Sequence, residues 1–254
     1  MDKRKISIPK SIFRIIRLII TTILIIILLR IFRNFIPFIN IDNSSILIPG
    51  LILSVLVCTV LFDKVRLSNL GLAFTSKSIF TFIYGLIIAS VSVIAIAAYA
   101  FFQNIQGTEL LITPKWFNAD NLSLLVFYLM VAFGEELFFR GYIISTLRSS
   151  GLKVFAVLMS SFIFMLIHLV NSETTLLTLI GTFMAGLLLA ILYVKFNNLW
   201  VCIGFHLAWN FLQDSVIHVP TKGTEVISIV VLAFMTLLAS LSFKSSESFE
   251  TKTT

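Results

Sequence analysis

The sequence predicts an all-α fold: a polytopic transmembrane helical bundle of about eight spans, with both termini in the cytoplasm. Three observations carry that reading. Hydrophobic residues make up 58% of the chain and charged residues only 12%, with a mean hydropathy of +1.04, which is not a soluble composition. Apolar runs of about 18 residues, long enough to cross a bilayer, recur along the whole length. The net charge of +7 is carried by basic residues at the ends of those runs, not in an aromatic-interleaved patch, so it serves topology and gives no reason to expect a nucleic-acid partner.

Taken in order, the segments run over about 15–32, 46–62, 79–102, 122–147, 154–170, 175–194, 199–217 and 226–243. The start, Met1-Asp2-Lys3-Arg4-Lys5, looks like the basic region of a signal peptide. The apolar run behind it is too long for one and no small-x-small cleavage site follows, so it reads as a retained first span. The second and seventh segments hold the two cysteines, Cys58 and Cys202, without CxxC spacing; they read as packing residues. The longest connection, about 103–121, carries Pro114, Trp116 and Phe117 and reads as an interfacial or re-entrant piece. The tail Lys244–Thr254 is polar and reads as frayed. No connection can hold a soluble domain, so residues 1–254 form a single membrane domain.

Charge placement supports the count. With the N-terminus inside, fourteen Lys and Arg residues fall on cytoplasmic segments. Four (Arg30, Arg33, Lys115 and Lys222) fall outside, once Arg140 is set aside as buried.

The fourth segment contains the stretch Gly134-Glu135-Glu136-Leu137-Phe138-Phe139-Arg140. Each charge inside a span costs about 2.5–3.5 kcal/mol on insertion scales before pairing, and such residues face the bundle interior. Glu136 and Arg140 are four apart, share a helix face and pair with the carboxylate on the favourable N-terminal side. Glu135 is rotated about 100° away and is the carboxylate left free for chemistry. The bland reading, that all three charges only hold helices together, stands beside the functional one at this point.

His168 ends the run Phe164-Met165-Leu166-Ile167-His168, and the midpoint between positions 135 and 168 falls at the turn glycine Gly151. A hairpin hinged there puts Glu135 and His168 at one depth, each about 25 Å along its helix. The seventh segment supplies His206 and Asn210, four apart on one face, with Asp214 a turn beyond and assigned to the outer interface. The bland readings are a hydrogen-bonded packing histidine at His168 and an interhelical hydrogen-bond pair at His206 and Asn210. His218 and Glu173 fall at span ends, where solvation is the default. Together Glu135, His168, His206 and Asn210 supply a base, imidazoles and an amide donor, as water-dependent hydrolysis requires. There is no G-x-S-x-G and no H-E-x-x-H.

Glu135-Glu136-x-x-x-Arg140, Phe164-x-x-x-His168 and His206-x-x-x-Asn210, in that order in a multi-span chain, resemble the CPBP family. That family comprises type 2 CAAX prenyl proteases together with bacterial Abi and bacteriocin-immunity relatives. The resemblance covers about 122–217. It implies an intramembrane endopeptidase in which Glu135 and His168 activate water, His206 and Asn210 form the oxyanion site, and Glu136 and Arg140 support it. It also implies a peptide or membrane-protein substrate, a multi-pass place in a bacterial cytoplasmic membrane, and a role in bacteriocin processing or self-immunity. The family is often labelled as metalloprotease, and two His plus one Glu suit a zinc ion; a metal-free glutamate mechanism suits the same residues. The rival is a non-enzymatic immunity or scaffold protein that binds a bacteriocin or its membrane partner. A proton-relay transporter is disfavoured because no inverted repeat of broken helices is visible.

Overall fold

A computed structural model describes residues 7–34, 43–110, 119–170 and 174–250. The expectations for Lys3, Arg4, Lys5, Pro114, Lys115, Trp116, Phe117, Glu173 and Lys252 lie outside the described residues. Among the described residues the architecture is helical throughout, apart from one two-residue antiparallel pairing. α1 spans Ile8–Asn34, with Pro9 in its first turn where the missing N–H does no harm. α2 spans 43–63, α-helical over Asn43–Leu56 and wound wide as a π-helix over Val57–Asp63. A 3-10 turn at Leu67–Leu70 leads to α3, Ser76–Phe102, which Thr75 and Ser78 start with reciprocal hydrogen bonds to each other's backbone N–H. α4 spans Ala119–Arg148 and is π-helical over Leu137–Ile144. α5 is Lys153–Ile167, α6 Leu176–Phe196, α7 Trp200–Ser215 and α8 Glu225–Glu250. The strands are β1, Glu109–Leu110, and β2, Ile217–His218, paired as Glu109 with His218 and Leu110 with Ile217.

Each apolar segment of the sequence is thus a helix. Five of them, Ile8–Arg33, Ile46–Asp63, Ser76–Phe102, Ala119–Arg148 and Leu176–Phe196, are long and apolar enough to cross a membrane, whereas Lys153–Ile167 and Glu225–Leu241 are shorter apolar helices. Three boundaries differ from expectation. α1 begins seven residues earlier than position 15. The seventh segment stops at Ser215, because Ile217 is taken by the strand pairing. α8 runs through the stretch read as a frayed tail as far as Glu250, since neither Gly nor Pro follows Gly223 to stop it.

α7 is the central rod. Every residue from Val201 to Ala208 is buried, as expected of a helix surrounded by others and not of one with a lipid face. α3 lies directly along it, and the two backbones touch at paired glycines. A Cβ on Gly85 would collide with the Val201 carbonyl oxygen, and one on Gly204 with the Phe82 carbonyl oxygen. This is the small-residue crossing through which membrane helices gain close van der Waals contact. Gly204→Ala is therefore expected to force α3 and α7 apart and to cost about 1–3 kcal/mol or more. Thermal unfolding in detergent checks it against Gly181→Ala, where the nearest atom to the new Cβ is Ile229 Cγ1 at 3.8 Å.

α6 packs on α5 and α8, and α2 packs on α1 and α4. Outward faces remain apolar and exposed, as at Phe13, Phe80 and Phe102, in keeping with a lipid surround. At one end of the bundle Arg14 and Tyr142 reach Asp63 at 3.0 and 2.6 Å, Arg17 pairs with the same carboxylate, and Arg148 donates to Asn197 at 3.0 Å. At the opposite end lie the strand pair, a Tyr128–Asp214 hydrogen bond and the start of α8.

Candidate active site

The Glu-Glu stretch falls where α4 changes its winding. The π-helix begins one residue after Glu136, and all eight residues of Leu137–Ile144 are buried. Such wide turns cluster at functional sites because the extra residue re-aims the side chains around it. Rotations of 100° per residue therefore hold from Glu135 to Glu136 but not across Leu137–Ile144.

Glu136 and Arg140 are both fully buried and pair at 2.8 Å through Glu136 Oε1. Arg140 also donates to the Gly186 carbonyl at 3.2 Å, and its guanidinium lies over the Phe164 ring at 4.5 Å. The sequence reading of this pair as an internal clamp matches the geometry. What it missed is that the same Oε1 lies 2.9 Å from His206 Nδ1. Glu136 therefore orients the imidazole as well, much as a carboxylate behind a histidine selects its tautomer. With Nδ1 so engaged, His206 turns Nε2 toward Glu135, whose Oε2 is 3.9 Å away. That span is too long for a direct hydrogen bond, and one water can bridge it with roughly 2.8 Å to each side. Oε2 of Glu135 is buried with no hydrogen-bond partner among the described residues.

His168 sits at the C-terminal end of α5, half-buried, and its Nδ1 is 2.8 Å from the Phe164 carbonyl, which leaves Nε2 as its outward nitrogen. The Phe164 ring lies 4.6 Å from the His168 ring and 6.2 Å from that of His206, so one aromatic wall sets both imidazoles. Phe164 entered the sequence reading only as a motif partner; its spacing of four from His168 was the available signal.

Glu135, Phe164, His168, His206 and Asn210 all line one cavity of about 490 Å³. Glu136 and Arg140 lie behind its wall. Gln213 also faces in, seven residues and two turns after His206, so helical periodicity could have found it. Asp214 instead accepts from Tyr128 and is exposed. His218 is exposed on β2. Cys58 and Cys202 are fully buried free thiols, Cys202 donating to the Leu189 carbonyl at 3.2 Å.

A chain with a carboxylate, two imidazoles and an amide around one cavity in an apolar bundle has the parts of a membrane hydrolase. One comparison with known families bears on the middle of the chain. Residues 117–212 match the family model of the type II CAAX prenyl endopeptidases, Rce1-like. No curated protein matches the chain. The Rce1-like segment runs from the start of α4 into α7 and includes Glu135, Glu136, Arg140, Phe164, His168, His206 and Asn210, with Gln213 just beyond it. It implies protease activity of the CAAX type within the membrane.

Hinge geometry agrees with the hairpin expectation. Gly151 closes the turn between α4 and α5 at φ +85°, in the left-handed region that favours glycine, with Gly151 N–H donating to the Arg148 carbonyl at 3.0 Å. Inserting one alanine there should rotate His168 by about 100° relative to α4. The expected outcome is a protein that still inserts but loses hydrolysis, read by membrane fractionation beside a proteolysis assay.

Proposed function

We propose that the chain is an intramembrane endopeptidase in which Glu135, with His168, activates the hydrolytic water. The observation that carries the reading is the unsatisfied Glu135 oxygen, held 3.9 Å from an imidazole that Glu136 orients, on the wall of a cavity large enough for a peptide segment. A carboxylate so placed takes a proton from water while the water oxygen bonds to the peptide carbonyl carbon. Charge then develops on the carbonyl oxygen, and the Asn210 amide provides a donor for it, joined by His206 Nε2–H when that ring is the imidazolium whose Nδ1–H Glu136 holds. The proton passes to the peptide nitrogen, the C–N bond breaks, and a carboxylic acid and an amine leave.

A divalent ion such as zinc would draw on Glu135, His168 and His206. Among the described residues no three His, Cys, Asp or Glu side chains gather as an ion's ligands, while the Glu136 contact at His206 Nδ1 leaves Nε2 as the nitrogen that would face such an ion. No step is therefore routed through a metal. In this reading the protein works in a bacterial cytoplasmic membrane on a peptide or membrane-protein segment, and the family resemblance extends it to bacteriocin processing or self-immunity.

The test uses purified protein in liposomes with a quenched peptide substrate. Hydrolysis should survive dialysis against a chelator and fall by about 10²–10⁴-fold in His168→Ala. Activity lost on chelation and restored by zinc would replace this mechanism with a metal-based one. Binding of a bacteriocin or its membrane partner without any cleavage would favour the immunity-protein reading.

A further inference from the structure

Positively charged residues are strongly unequal between the two ends of the bundle. Among the described residues, the end that holds Asp63, Gly151 and Asn197 carries Arg14, Arg17, Lys64, Arg66, Arg148 and Lys195. The opposite end holds Glu109, Asp120, Asp214 and Glu225 against Arg30, Arg33 and Lys222. Lys and Arg near span ends stay in the cytoplasm, which makes the first end cytoplasmic.

The cavity has a direction on that axis. From Glu135 and His206 it extends along α6, α7 and α8 past Thr178 and Gln213 to Thr221, Thr224 and Glu225, at the end away from the cations. Thr221 is exposed there. Toward the cationic end the site is stopped. Leu137–Ile144 is buried at every position, and Leu137, Phe139, Leu188 and Leu192, with 0–1% exposure each, belong to the same packed core.

We propose that the active-site cavity opens to the extracytoplasmic face, so that its substrate is a polypeptide segment already delivered to that side of the membrane. The cytoplasmic side is sealed by the wound-out part of α4. A lipid-modified C-terminus displayed in the cytosol would approach the wrong end of this molecule. A peptide being exported, or the outer end of another protein's span, would meet the cavity directly. The substrate part of this inference rests on the endopeptidase reading; the sidedness does not.

Cysteine accessibility tests it. The native Cys58 and Cys202 are both 0% exposed, so wild type supplies the blank. Gln213→Cys reports the cavity wall, Thr221→Cys its mouth, and Ser68→Cys the exposed 3-10 turn at the cationic end. Each is treated with sulfonatoethyl methanethiosulfonate, which does not cross membranes, in spheroplasts and in inverted vesicles. Thiols left unblocked are then counted after denaturation, which also reports how much of each variant accumulated.

In spheroplasts, positions 213 and 221 should be blocked at least tenfold more than position 68, with the order reversed in inverted vesicles. Should Gln213→Cys fail to accumulate, Thr178→Cys reads the same wall from α6. Block of position 68 from outside, block of 213 in inverted vesicles only, or a position 213 inert in both preparations would each overturn the proposal. A correct labelling pattern with no hydrolysis of any peptide would leave the sidedness standing and remove the endopeptidase reading.

Discussion

Replacing Glu135 by Gln is expected to lower the hydrolysis rate by about 10²–10⁴-fold while the protein still accumulates and unfolds near the wild-type temperature. The amide keeps the shape of the side chain and removes its ability to take a proton. Little of the structure depends on the charge: the buried Oε2 has no hydrogen-bond partner among the described residues, its ion contact with His206 Nε2 is as long as 3.9 Å, and the Glu136–Arg140 pair does not involve it. The measurement is the maximal rate on a quenched peptide beside thermal unfolding in the same detergent. Retention of a tenth or more of the rate would show that some other group takes the proton.

The opposite balance is expected for Glu136→Gln. Its Oε1 serves Arg140 at 2.8 Å and His206 at 2.9 Å, and both Glu136 and Arg140 are 0% exposed. Removing one partner of a buried pair leaves the other charge uncompensated, typically at a cost of 3–5 kcal/mol. A pronounced fall in unfolding temperature should follow. The folded fraction should also lose activity, because His206 is no longer held with Nε2 toward Glu135. Replacing both partners, Glu136→Gln with Arg140→Met, should recover much of the stability without restoring activity, and the double-mutant cycle gives the coupling. Unchanged stability in Glu136→Gln would mean that Arg140 is compensated elsewhere.

This pair shows how far helical spacing reaches. The i, i+4 relation predicted the Glu136–Arg140 bond, and the bond is present even though the helix changes its winding between the two residues. Spacing also separated Glu135 from Glu136, and only Glu135 lines the cavity. It could not show that His206, seventy residues later, shares the oxygen that Arg140 uses. Nor could it show Phe164 as a common wall for two imidazoles on different helices.

Local and compositional signals determined a great deal by themselves. Hydropathy located every helix to within a few residues at most ends, because exclusion from water acts on each segment independently of its neighbours. Gly151 marked the hinge because φ +85° is a property of one residue. Buried charges drew attention to the site because carrying them into a bilayer is costly. The tertiary structure alone decided what depends on how helices meet. The contact of α3 with α7 rests on Gly85 and Gly204, two unremarkable glycines in sequence that become a matched pair only when their backbones cross. The orientation of His206, the π-wound seal beneath Glu135 and the direction in which the cavity opens depend on atoms from separate helices. Such arrangements follow from packing and hydrogen bonding across the bundle, and those forces leave no period in the chain.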